Sequence, residues 1–455
     1  MIPEPYRIKM VEPIHLLPRN VREEKIENTG FNLFGLRSEE VFIDMLSDSG
    51  TGAMSTQQWS ALMMGDESYA GSASFYRMKE SIADVMGFPY VLPTHQGRAA
   101  ENVLHSALIK EHDVVPGNSH FDTTKAHIEF RKAHAIDCTI DEAFDPDNLF
   151  PFKGNLNLEK LRAALTEYVP QKRVPFVLVT VTCNSAGGQP VSMENMRGVK
   201  QLCDEFKVTL FVDAARYAEN CKFIQMRETG YASKSSATIA REFFSYADGC
   251  TMSSKKDALV NIGGFIAMRD EELYRQCSIY GILFEGFVTY GGMSGRDMET
   301  LAVGLKEGID DEYLEHRLAQ TKYLSDLLTE AGVPHVKPAG GHAIYVDALK
   351  VLPNIPREHF PAQTLGVEIY IEAGVRGVEI GAVLADRDPV TRENRYPRLE
   401  LLRLCLPRRT FTSNHLEWVA EGLHNVMRRS SFIRGLQITY EPPILRHFTT
   451  KFVRV

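Results

Sequence analysis

Between about residue 55 and residue 310 the chain switches repeatedly between short apolar runs and helical segments. Phe176 to Thr182, Thr209 to Val212, Gly249 to Met252 and Phe265 to Met268 are strand-like, bounded by polar or turn-forming residues, while Met193 to Glu205 carries helical apolar spacing. An unbroken apolar run suits a strand buried on both faces, which is the setting of a parallel sheet covered by its crossover helices. This alternation predicts an α/β fold with a mostly parallel sheet. Beyond it, a long helical pattern from Met298 to Ala331 ends at Gly332 and Pro334. Strand-like segments around Ala343 to Asp347 and Leu399 to Leu406 then predict a smaller α+β domain. The first fifty residues are too few for a core of their own and are expected to pack on that smaller domain. The expected division is 1–54, 55–310 and 311–455.

The chain has 455 residues, 44% of them hydrophobic and 24% charged, enough to bury a large core. A net charge of −8 with no basic stripe argues against a nucleic-acid footprint. The seven cysteines (138, 183, 203, 221, 250, 277 and 405) are scattered, with no Cys-x-x-Cys or His-Glu-x-x-His string, so they read as reduced thiols of a cytoplasmic protein rather than zinc ligands. Met1 to Asn20 lacks the apolar core of a signal peptide, and no run approaches a membrane span. No repeat or low-complexity segment interrupts the chain.

The chemistry is concentrated in two places. Ser253-Ser254-Lys255-Lys256-Asp257 follows an apolar run and precedes Gly263-Gly264, and Asp213 ends the Thr209 run in an acid. A lysine and a strand-end aspartate in this relation suit a pyridoxal phosphate (PLP) Schiff base, with the carboxylate keeping the ring nitrogen protonated. Taken alone, Asp213 could merely end a strand and the lysines could form a solvated turn. Upstream, Gln96, Gly97 and Arg98 open a helix, where free backbone N–H groups meet an anion and a glycine lets a phosphate approach closely. Ser253 offers a hydroxyl to the same phosphate. Asn184 and Arg216 follow strands and are candidates for the cofactor's phenolic oxygen, or else a turn residue and a surface residue. What joins them is order: anion, amide, acid and lysine follow successive strands, where α/β ligand sites lie.

Strings spread over almost the whole length then carry a family likeness: Asp48-Ser49-Gly50-Thr51, Met64 to Ser72, Pro93 to Arg98, Asn184 to Pro190, Ser253 to Asp257, Tyr290-Gly291-Gly292 and Arg446-His447-Phe448-Thr449. The chain resembles the β-eliminating lyases, the family of tryptophanase and tyrosine phenol-lyase. The resemblance implies a PLP enzyme of fold type I, with a seven-stranded large-domain sheet and a homotetramer built as a dimer of dimers. It implies that Lys256 rather than Lys255 carries the cofactor, with Lys255 among the cofactor contacts, and that Phe121 stacks on the ring. Arg403 would bind the substrate carboxylate with Ser49 in the same site, and Tyr69 and Tyr290 would reach the neighbouring subunit's site. A potassium or similar monovalent cation would meet Glu67 and the carbonyls of Gly50 and Asn261. Ser47 departs from the family's usual threonine but keeps the hydroxyl, and Cys183, before Asn184, reads as a small buried residue.

The likeness also bears on the substrate. Val378-Glu379-Ile380-Gly381 stands where the tyrosine-cleaving members have Met-Glu-Arg-Gly, and an apolar Ile380 cannot pair a buried phenol hydroxyl. Asp122 replaces a threonine and could accept from an indole N–H. His447, beside Phe448, replaces a phenylalanine. Together these predict L-tryptophan, cleaved to indole, pyruvate and ammonia, with Lys256 removing the α-proton.

Overall fold

The computed structural model describes residues 2–388 and 391–455; Met1 and the 389–390 pair, which fall within the predicted 1–54 and 311–455 segments, lie outside the described residues. Its largest sheet has seven strands, in the order Tyr90–Thr94, Gly264–Met268, Gly249–Ser253, Thr209–Asp213, Phe176–Thr180, Val114–Gly117 and His134–Asp137. Gly264–Met268 alone runs against its neighbours, so the sheet is mixed but mostly parallel. Every residue of Phe176–Thr180 is buried, which is why that strand reads as a continuous apolar run.

Two expectations are corrected. The strand predicted over Phe176 to Thr182 stops at Thr180, and the following residues leave the sheet to wall a cavity. The helix predicted over Met298 to Ala331 is two helices, Gly295–Gly308 and Asp311–Glu330, with Asp310 capping the second through Tyr313 N at 2.9 Å. The end of the first helix is also closely packed. A Cβ on Gly304 would lie 1.9 Å from Ala258 O and one on Gly308 1.8 Å from Asp257 O, so the first helix presses its backbone onto the loop that follows Lys256. Only glycine permits that approach.

A second sheet orders Val378–Ile380, Leu401–Cys405 and Ala343–Asp347, all antiparallel. Ile344, Val346, Leu402 and Leu404 point into a core shared with the helices Pro361–Ala373 and Ser413–Arg428. Arg403, paired in register with Val378 and Tyr345, sits on the opposite face. The amino-terminal residues close over this region. Ile43 and Asp44 pair in parallel with Val375 and Arg376, and Arg22 Nη2 donates to Ile371 O at 2.7 Å. Among the described residues no helix is long and apolar enough to cross a membrane.

Candidate active site

A cavity of about 210 Å³ opens where the parallel strands end. Its wall is built in turn from residues after Val114–Gly117 (Phe121, Thr123), Phe176–Thr180 (Thr182, Asn184), Thr209–Asp213 (Asp213, Arg216) and Gly249–Ser253 (Ser253, Lys255, Lys256). Lys256 is buried and donates to Ser253 Oγ at 2.9 Å, with the Phe121 ring centroid 5.9 Å from its Nζ. Burial, reinforced by Arg216, pushes its amine down to about 8, so a substantial fraction is neutral and nucleophilic near physiological pH. Asp213 lies buried on the same wall. Burial raises its carboxyl above the usual range, and the Lys256 charge opposes that rise.

The Gly97–Leu108 helix begins at this cavity. Its N-cap residue, Gln96, makes no side-chain cap, and Ala99 N already donates to Gln96 O, so the Gly97 and Arg98 N–H groups remain for an anion. Gly97 packs so closely on the lysine-bearing strand that a Cβ would lie 2.5 Å from Ser253 Cβ, which brings the Ser253 hydroxyl to the helix start. Thr180 and Thr182 line the cavity, and their buried hydroxyls have no hydrogen-bond partner. An anion seat, a buried carboxyl, a lysine of lowered basicity and unpartnered hydroxyls fit pyridoxal phosphate.

Arg216 differs from expectation. Its Nε and Nη2 are committed to Asp48 Oδ2 and Oδ1 at 2.9 and 2.8 Å, leaving Nη1 for a phenolic oxygen. Asp48 also takes Arg408 Nη1 at 2.9 Å, and Arg408 Nη2 reaches Glu219 at 2.8 Å and Asp257 at 2.6 Å. Arg317 completes the set through Glu219 at 3.1 Å. This fully buried hub ties the amino-terminal segment to the lysine loop. Burial alone would raise Asp48, yet Arg216 and the other cations hold it well below the usual carboxylate range. Burial and Glu219 push Asp257 up to about 6. His342 and Cys405 come within 4.8 Å of Asp48 as a metal cluster would, but the two arginines already occupy that carboxylate. The sequence marks Asp48 only as part of a matching string, and nothing local announces its arginine partners.

On the far side, Asn184 Oδ1 accepts from Arg403 Nη1 (2.9 Å), Tyr345 Oη (2.9 Å) and His342 Nε2 (3.1 Å), so it can offer a phenolic oxygen only its NH₂. Arg403 keeps Nε unpartnered. Ser47 and Ser49 line the cavity, with Ser49 N donating to Ser47 Oγ at 3.0 Å. Ile380 is buried in a small apolar cluster with Val378, Tyr345 and Leu401 on the Arg403 face of the second sheet. Asp122 occupies the first turn of the Asp122–Phe130 helix, where the helix dipole favours an acid, and Phe121 is the N-cap residue. His447 Nε2 lies 3.9 Å from Asp122 Oδ2, and its ring packs on Phe448 at 3.8 Å between centroids. Burial drives His447 down to about 4, with the Asp122 charge opposing, so it is neutral.

Of the expected site residues, Asp122, Ile380, Arg403, His447 and Phe448 stand behind the cavity wall rather than lining it, and Tyr69 and Tyr290 do not line it either; Tyr69 is exposed and meets Phe287 and Tyr290 at 5.9 and 5.2 Å between ring centroids. The expected cation ligands are only partly together. Asn261 Nδ2 donates to Gly50 O at 3.0 Å, and a Cβ on Gly50 would lie 2.8 Å from Asn261 O. Glu67 instead accepts from Gly295 N at 3.1 Å at the start of the Gly295–Gly308 helix, and touches neither Gly50 nor Asn261 among the described residues.

The family model described as "Beta-eliminating lyase" matches residues 44–422. A "Probable beta-eliminating lyase" of Trichomonas vaginalis is 57% identical over 99% of this chain and 98% of its own length. A "Tryptophanase" of Salinibacter ruber is 52% identical over 98% of this chain and 94% of its own. A "Tyrosine phenol-lyase" of Symbiobacterium thermophilum is 50% identical over 99% and 98%. Among solved structures, the "Crystal structure of the SepCysS-SepCysE N-terminal domain complex" superposes with a TM-score of 0.56 at 15% identity, covering 86% of this chain and 96% of that one. At that identity the likeness is one of fold.

Proposed function

This chain belongs to the β-eliminating lyases, a PLP-dependent family, and within it we propose that it cleaves L-tryptophan with water to indole, pyruvate and ammonia. The relatives' names divide between tryptophan and tyrosine at nearly equal identity, so the choice rests on the side chains that would face the leaving group. The carrying observation is the Asp122–His447 approach at 3.9 Å together with an apolar Ile380 on the Arg403 face.

Pyridoxal phosphate, when bound, supplies the electron sink for charge developing at the substrate α-carbon. Gln96, Gly97, Arg98 and Ser253 would seat its phosphate, and Asp213 would hold a proton at its ring nitrogen. Arg403, whose buried Nε has no partner, would bind the substrate carboxylate once Nη1 exchanges its Asn184 contact for it. The Lys256 amine, near 8, takes the α-proton. Indole leaves only after protonation at the ring carbon bearing the side chain, and Asp122 accepts from the ring N–H and stabilises the positive ring. The neutral His447 leaves the Asp122 charge unspent. A phenol hydroxyl against Ile380 would lose a buried hydrogen bond, roughly 1–3 kcal/mol. An apolar wall rejects a hydroxyl only about 10²-fold, so slow tyrosine cleavage is expected.

The oligomer and cation belong to the same proposal. Met63 and Met64 are 80% and 71% exposed, and Ile279, Ile282 and Leu283 of another helix are exposed too, which supports burial by further copies in a homotetramer. A neighbour's Glu67 and Tyr69 would then reach the Gly50–Asn261 carbonyls and the cavity. The seven buried free cysteines suit a reducing cytoplasm. Release of indole from tryptophan and of phenol from tyrosine by the purified protein tests the substrate; faster phenol release overturns it. Potassium titration of wild type and Glu67→Ala, with sedimentation of the wild type, tests the rest. A monomer, or indifference to potassium in both proteins, would remove that part.

A further inference from the structure

We propose that Glu101 is a positioning residue that braces the Phe121–Asp122 turn against the helix forming the anion seat, and so sets where Asp122 stands over the indole ring. This rests on the tryptophan reading above.

Glu101 lies one helical turn after Gly97, on the cavity-lining face of the Gly97–Leu108 helix, and is buried. Its two oxygens are engaged separately. Thr123 Oγ1 donates to Oε2 at 2.7 Å and Thr124 Oγ1 to Oε1 at 2.5 Å. Thr123 N in turn donates to Asp122 Oδ1 at 2.6 Å, which completes a chain from Glu101 to Asp122. No lysine or arginine pairs with Glu101 among the described residues. A buried carboxyl without a cation is costly, and apolar packing would hold the two helices together at less cost. What a carboxyl adds is direction: it fixes two consecutive hydroxyls, and therefore the rotation of the turn that presents Phe121 and Asp122. Burial, then the nearby Asp213, push the Glu101 carboxyl up to about 7. The cofactor's phosphate seat and the leaving-group contact thus share one rigid element.

The test uses Glu101→Leu, Glu101→Gln and the near-isosteric pair Thr123→Val with Thr124→Val. In the cofactor-loaded enzyme, Glu101→Leu and the valine pair should lower kcat for tryptophan roughly tenfold to 10²-fold. The same variants should change kcat for an S-alkyl cysteine, whose leaving group needs no ring protonation, and KM for tryptophan, by less than about threefold. Glu101→Gln, which still accepts from one threonine, should stay near wild type. Hydrogen exchange over residues 119–130 of the cofactor-free full chain should quicken in the leucine variant and the valine pair. An unchanged substrate ratio, or unchanged exchange, in variants that fold overturns the brace, and the valine pair carries the test if Glu101→Leu does not fold. Equal losses on both substrates in Asp122→Ala would instead sink the tryptophan reading, while faster exchange over 119–130 would still uphold the brace.

Discussion

The cavity wall and the neighbouring group of Asp122, Ile380, Arg403 and His447, the proposed leaving-group side, are built on different principles. At the first, the functional groups hang from the ends of neighbouring parallel strands, and a buried hub of Asp48, Arg216, Arg408, Glu219 and Asp257 leaves little freedom. At the second, Ile380 and Arg403 come from the three-stranded sheet, Asp122 from a helix start and His447 from the turn Arg446–Phe448. The His447–Asp122 approach there is long, at 3.9 Å, and Arg403 Nε and His447 Nδ1 are unpartnered. Side chains at the second end can change without unpairing a buried charge, whereas a change in the hub strands one.

The largest effect should come from the strand-end lysine. Lys256→Ala should lower elimination by about 10²–10⁴-fold or more, and borohydride reduction of the loaded wild type should label the Lys256 peptide. A label on Lys255 would move the cofactor one residue and unsettle the cofactor end of the comparison. Next, Asp48→Ala leaves Arg216 and Arg408 without their shared acid and should cost about 3–5 kcal/mol, read by urea denaturation. Ile380→Val should cost no more than about 1.5 kcal/mol. Equal costs would erase the distinction between the two ends. Asp122→Ala comes third: tryptophan cleavage should fall roughly 10²-fold more than S-alkyl cysteine cleavage.

The smallest effects are in pH dependence, and they have opposite signs. Glu101 is raised from 4.5 to about 7, so its contribution is full below about pH 4.5 and is lost as pH rises through 7. His447 is lowered from 6.5 to about 4, so its contribution is full above about 6.5 and is lost as pH falls through 4. Relative to wild type, Glu101→Gln should gain melting temperature from pH 5 to 7, and His447→Phe should gain it from pH 6.5 down to 4. Each gain should correspond to about 1–3 kcal/mol. Parallel curves for all three proteins would mean that neither group titrates differently on folding.

Legibility follows range. Phe176 onward and Thr209 onward read as strands because burial on both faces writes a continuous apolar run, and Asp213 stood out as an acid closing one of them. Gln96 to Arg98 was readable because a glycine at a helix start has a local meaning. The Arg216 pairing with Asp48 was not legible, since Asp48 lies 168 residues away and neither residue's neighbours announce the other. Glu101 looked like any acid on a helix, since its threonines come 22 and 23 positions later in another helix. The pause at Ile309 and Asp310 was missed although Gly308 and the capping Asp310 mark it locally, because the apolar spacing runs on through both helices.

The sequence by itself determined the alternation that makes the sheet, the glycine-bearing helix start at the cavity, and the lysine and aspartate proposed to serve PLP chemistry. These depend on local periodicity, backbone freedom and side-chain type, all of which act over a few residues. The tertiary structure alone decided which charges neutralise one another, which acid grips the Asp122 turn, and which expected ligands, such as Glu67 and Tyr69, stand apart from the cavity of their own chain. Coulomb energy and hydrogen bonding depend on distance through space and on burial, and the order of residues along the chain specifies neither until it has folded.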